Sequence, residues 1–147
     1  MARRSRKARV ADVHEVAQAM PHVENVSSNE RPVYAVGGKS FIFFRGPRPD
    51  AFDPVTRERY EDVIVFWVAD PGDKTAMVED PGTPYFTTPH FNGHQSVLLR
   101  GSRIGELTRD EVAELVQDAW LSRASRTRAK AWLASLDGSD PRFVTPT

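Results

Sequence analysis

Apolar residues recur at helical spacing near both ends of the chain and at strand spacing between them. Val13, Val16, Ala17 and Met20 fall at i, i+3, i+4 and i+7, one face of a helix. Asp12 with Glu15 three residues on predicts an N-cap and capping box, and Pro21 stops this helix. From Glu24 to Val68 the pattern becomes that of strands. Val33–Val36 and Ser40–Phe44 flank Gly37-Gly38-Lys39, a hairpin turn in which the glycines supply positive φ. Val63–Ala69 is continuously apolar and rich in β-branched residues, which predicts a central strand.

Asp70 and Pro71 predict the cap and first position of a short helix through about Glu79. Tyr85–Thr88 and Gln95–Arg100 then predict two strands joined across Asn92-Gly93 by a type I′ turn. Thr108 with Glu111 caps a helix whose stripe is Val112, Leu115, Val116, Ala119 and Trp120. A further helical piece covers roughly 127–135 with Ala131, Trp132 and Leu133. Hairpin-joined strands exclude a doubly wound parallel sheet, which needs helical crossovers. The expected fold class is α+β, two-layer, an antiparallel sheet packed against helices.

Composition refines this picture only modestly. With 147 residues, 39% hydrophobic and 27% charged, one domain is expected, over residues 11–136. Residues 1–10 read as a disordered basic tail and 137–147 as a flexible C-terminal one. The chain has no cysteine, which excludes disulfides, thiolate metal sites and a cysteine nucleophile. The basic start is not followed by an apolar stretch, and no run approaches the ~20 residues of a membrane span. A cytoplasmic location without membrane contact is therefore expected.

Net charge is zero, but the signs are segregated. Residues 31–48 contain Arg31, Lys39, Arg45 and Arg48 and no acid, and residues 121–130 contain Arg123, Arg126, Arg128 and Lys130 and no acid. Residues 50–80 carry nine acids against Arg57, Arg59 and Lys74. Such asymmetry marks either a face for polyanions or a solvated surface whose signs neutralise one another in space.

Reactive constellations are absent from the pattern. Gly37-Gly38-Lys39-Ser40 lacks the glycine spacing and the following helix of a phosphate loop. His90 and His94, placed in a hairpin about Asn92-Gly93, would face opposite sides of a sheet and could not share a metal ion. His14 and His22 straddle a helix end. No G-x-S-x-G elbow positions a serine, and Glu58, Glu61 and Asp62 lie in a polar loop. No catalytic residue, metal or cofactor is expected. Aromatic residues crowd the strands, and alternation along Phe41–Phe44 places one of each neighbouring pair away from the helices.

The first helix ending at Pro21, Arg31–Phe43 with its Gly-Gly-Lys turn, Pro84–Phe91 and the Leu107–Trp120 helix together resemble the MmcQ/YjbR family over about residues 11–134. The resemblance implies helices on an antiparallel sheet, a double-wing fold similar to secretion chaperones. Members are commonly labelled DNA-binding, and the family offers no catalytic motif. Many members open the last strand with tryptophan, where this chain reads His94-Gln95-Ser96-Val97.

Three function classes follow. The first is a non-enzymatic binding domain with DNA as partner, making non-specific phosphate contacts through Lys39, Arg45, Arg48, Arg123, Arg126, Arg128 and Lys130. The second is a protein-interaction or chaperone-like module using an aromatic sheet face. The third, ranked last, is a small-molecule enzyme with His90 and His94 lining a pocket. Oligomeric state is not legible at this level.

Overall fold

The computed structural model describes residues 6–27, 31–47, 51–88, 91 and 93–136. Helix α1 (Val10–Ala19) leads into strands β1 (Val23–Asn25), β2 (Val33–Val36), β3 (Lys39–Arg45) and β4 (Val63–Trp67). Helix α2 (Pro71–Glu79), strand β5 (Ser96–Arg100), a 3₁₀ turn (Gly101–Glu106) and helices α3 (Arg109–Arg123) and α4 (Arg126–Leu136) complete the chain. The strands form one antiparallel sheet in the order β1-β2-β3-β4-β5, confirming the α+β class.

Both predicted helical stripes are buried as read. Val13, Val16, Ala17 and Met20 from α1 meet Val112, Leu115, Val116, Ala119 and Trp120 from α3 in one core. The sheet contributes Tyr34, Ile42, Phe66 and Val97, which lie in register across four strands. Trp120 is fully buried, and its indole Nε1 donates to the Pro21 carbonyl at 3.0 Å, pinning the exit of α1. Asp70 caps α2 by accepting from the Asp73 N–H at 2.9 Å, and Thr108 with Glu111 forms the expected reciprocal box on α3.

Strict alternation fails at one place. Tyr34 pairs with Ile42 but Ala35 pairs with Ser40, so Phe41 is an extra residue in β3. This bulge turns Phe41 and Ile42 both into the helix-side core, each fully buried. Only Phe43 of this run joins the opposite face, with Val65 and Leu98 beside it in register.

That opposite face is covered, not open. Ala51, Tyr60, Phe86 and Phe91 come from loops and pack over Phe43, Val63, Val65 and Leu98. The expected strand Tyr85–Thr88 is reduced to a single bridge, Phe86 with Leu98, because Phe86 and Phe91 turn onto the sheet to bury their rings. Gly93 lies in a turn, and Asn92 of the expected Asn-Gly hairpin lies outside the described residues.

The N-terminal segment also differs from expectation. Residues 1–5 lie outside the described residues, but Ala8 N–H donates to Leu107 O and Arg109 N–H to Arg6 O, each at 2.9 Å. Helix α1 therefore starts at Val10, and Asp12 sits in its first turn instead of at the cap. Its carboxylate accepts from Arg9 N–H at 2.8 Å and from both Nη atoms of Arg6 at 2.9 and 2.6 Å. Chiefly Arg6, opposed by burial and aided by Arg9, holds the Asp12 carboxyl down at about 2.

A depressed carboxyl stabilises the fold above its unfolded pKa and loses that contribution as pH falls through the folded one. Asp12→Asn is thus expected to cost about 1 kcal/mol near pH 7, the solvent-exposed Arg6 side being screened. Chemical denaturation across pH should show the gap between wild type and variant closing from about pH 4 down to about pH 2.

Candidate functional site

The turn between β2 and β3 places Gly37 at φ 59° and Gly38 at φ 80°, the pair of positive angles that a type I′ hairpin requires. Its glycines also admit a neighbour. A Cβ built on Gly37 would lie 2.8 Å from Nη1 of Arg128, so the guanidinium of α4 rests against this bare backbone. Arg123, at the end of α3, reaches the same hairpin by donating from Nε to the Ser40 carbonyl at 3.2 Å. Its guanidinium carbon lies 4.0 Å from the centroid of the Trp67 ring.

The sequence-predicted cations therefore divide. Arg123 and Arg128 reach the hairpin turn that carries Lys39, and α4 also carries Arg126 and Lys130. Arg126 and Lys130 are i,i+4 neighbours and exposed, while Arg128, two residues from each, is half-buried against the turn. Arg45 lies at the other end of β3, about 20 Å from Lys39 at roughly 3.3 Å per residue. It packs over the Phe91 ring at 4.8 Å. Arg48 lies outside the described residues.

The electrostatics of the two ends of the molecule differ. Arg6, Arg100, Arg103 and Arg109 each form ion pairs, with Asp12, Asp62, Glu106 and Glu15 among their partners. Among the described residues, Lys39, Arg123, Arg126, Arg128 and Lys130 form none. Arg123 and Arg128 thus pack on the turn that carries Lys39, while Arg126 and Lys130 stand exposed on another side of α4, none of the five with an acidic partner among the described residues. The polar loop of Glu58, Glu61 and Asp62 behaves differently. Burial pushes Asp62 up, but the Ser102 N–H and Arg100 outweigh it and hold the carboxyl below its ordinary value.

The histidines are placed by packing. His14 lies within α1 and His22 beyond its end, as expected; His14 is stacked on Phe44 at 4.7 Å with Nδ1 2.6 Å from the Tyr34 hydroxyl, and burial lowers its pKa. His94 contacts the Trp67 ring at 4.3 Å and Ser96 Oγ at 2.8 Å, which fills the place beside the last strand with an aromatic pair. His90 lies outside the described residues, and among those described no three His, Asp or Glu side chains could hold a metal ion. Among them, too, no helix is long and apolar enough to cross a membrane.

Sequence reasoning missed Lys74, which is buried on α2 and donates to the carbonyls of Phe91 and His94. Only its place on the inward side of a short helix could have signalled it. It missed, too, that Arg123 is anchored where Arg126 is exposed. Arg123→Ala is accordingly expected to cost about 1–2 kcal/mol through the lost ring and carbonyl contacts. Arg126→Ala should stay within about 0.5 kcal/mol of wild type. Urea unfolding of the two variants, compared side by side, reads this difference directly.

A model of the YjbR family matches residues 14–122. An uncharacterised protein of Mycobacterium bovis is 34% identical over 106 residues, covering 69% of this chain and 80% of the relative. Uncharacterised proteins of two Mycobacterium tuberculosis strains, CDC 1551 / Oshkosh and H37Rv, match to the same extent. No solved structure matches. Lys39 and Arg45 fall inside the matched region, whereas Arg123, Arg126, Arg128 and Lys130 lie just beyond it. The match spans the sheet, α2, α3 up to Ser122 and most of α1, and the chain belongs to the YjbR family.

Proposed function

We propose that this protein is a non-enzymatic binding domain whose α4 and β2–β3 turn form a contact face for the DNA backbone. The observation that carries the reading is that Arg123 and Arg128 pack on the turn that carries Lys39, with Arg126 and Lys130 exposed on the same short helix, all five without ion-pair partners among the described residues. Lys39, Arg126, Arg128 and Lys130 make the phosphate contacts. Arg123, engaged with Ser40 and Trp67, positions the hairpin beneath them. Contacts of this kind neutralise phosphates and carry no sequence information. Arg3 and Arg4 add diffuse attraction. Arg45, at the far end of β3 and over Phe91, has no part in this face.

The competing reading, a protein-interaction surface on an aromatic sheet face, loses its surface. Tyr60, Phe86 and Phe91 already cover Phe43 and its neighbours.

Fluorescence anisotropy on a short duplex tests the proposal. Four phosphate contacts predict a slope of about −3.6 for log affinity against log salt, so affinity falls about two orders of magnitude between 50 and 200 mM salt. Two unrelated sequences should bind equally. Replacing Lys39, Arg126, Arg128 and Lys130 together by Ala should abolish binding, and each single change should lower the slope by about 0.9. Removal of residues 1–5 should leave most of the affinity. Absence of binding at low salt, or binding untouched by the fourfold variant, rejects the reading.

A further inference from the structure

Helix α4 carries an apolar stripe that is largely solvent-exposed. Ala129, Leu133 and Leu136 fall at i, i+4 and i+7, one side of the helix. Leu133 is 47% and Leu136 61% exposed. Arg126 and Lys130, both exposed, border the stripe at i−7 and i−3 from Leu133. Arg128 against Gly37 and Trp132 beside Trp120 hold the helix by an adjoining side, so the stripe stays turned outward. A groove of opposite character runs between α2 and α3. It encloses about 400 Å³, and Val68, Met77, Leu115 and Leu121 give it apolar walls. Asp73 from α2 and Asp118 from α3 line it too. Partial burial, with Glu114 and Asp73 close by, pushes the Asp118 carboxyl above its ordinary value, so the two helices bring their carboxylates together at this groove.

We propose that α4 of one copy of this protein docks in the α2–α3 groove of a second copy. Leu133 and Leu136 enter the apolar groove, and Arg126 and Lys130 meet Asp73 and Asp118 along it. Charge selects this occupant. An α4–α4 contact doubles the cations along one seam and a groove–groove contact doubles the acids, whereas α4 on the groove pairs opposite signs. The lengths agree as well. At 11 residues α4 is about 16 Å long, and α2, one wall of the groove, is about 14 Å long at 9 residues. Contact between two unlike surfaces closes when two copies exchange helices reciprocally, and otherwise grows by addition. One helix in one groove is a small interface, so the association is weak and depends on concentration.

Sedimentation equilibrium of the full-length protein tests the contact. It is run without nucleic acid, so its outcome stands apart from the DNA reading, which also uses Arg126 and Lys130. The weight-average mass should rise above the 16.5 kDa of one chain as concentration goes from about 10 to about 500 μM. Leu133→Asp, at an exposed position, should weaken association at least tenfold with the melting temperature unchanged. Asp73→Lys with Asp118→Lys, and separately Arg126→Glu with Lys130→Glu, should each leave a monomer. An equimolar mixture of these two double variants should associate again, because helix and groove are then complementary between them. A monomer at every concentration, the result expected if residues 137–147 or an unrelated protein cover the stripe, overturns the proposal. So does unaltered association of Leu133→Asp, self-association of the groove variant alone, as an α4–α4 contact predicts, or a mixture that stays monomeric.

Discussion

The fold depends on the burial of one helix. Along α3, Val112, Leu115, Val116, Ala119 and Trp120 are all buried, and they touch α1 and the sheet at once. Tryptophan at the last of these positions has two effects. Its ring fills the core, and its indole N–H satisfies the Pro21 carbonyl where α1 ends. The direction in which the chain leaves α1 and enters β1 is thus tied to a residue ninety-nine positions later. Arg123, one turn beyond the stripe, extends the same control to the β2–β3 hairpin through Ser40.

A second constraint governs the sheet. A two-layer fold leaves one sheet face without helices, and here loops close it. Arg45 caps Phe91 and Arg100 caps Tyr60, at 4.8 and 3.8 Å from the ring centroids, so flat cations finish what the aromatic rings begin. Lys74 fixes the same loop from the helix α2 side by gripping two of its carbonyls. Several basic residues that look free in a linear reading are therefore consumed by the architecture. This separates the cations of the far end of β3 from those of α4.

Much of the fold was legible because local chemistry and tertiary outcome agree. The stripes of α1 and α3, the Asp70 and Thr108 caps and the paired glycines of the hairpin each specify one local geometry, and each is found there. The departures share a cause: a distant contact outweighed a local signal. Asp12 reads as a cap, yet its partner Arg6 lies in a segment held by Leu107 and Arg109. Tyr85–Thr88 reads as a strand, yet ring burial over Phe43 and Leu98 competes with edge pairing. The bulge at Phe41 leaves no mark in composition. At the candidate site, the residue types were legible, but the grouping was not. Gly37 and Arg128 stand far apart in sequence and meet only because α4 folds back over the turn.

Helix α4 has no buried residue. Its described anchors are the half-buried Trp132, with its ring 5.8 Å from that of Trp120, and Arg128 lying against Gly37. Elements with so little buried surface open locally at a free energy well below that of global unfolding. The three cations of α4 are thus mounted on a unit that can detach and reattach while α1, α3 and the sheet stay folded. Were α4 to serve as the proposed contact face, its cations would be presented through that local opening, set by how the two tryptophans meet.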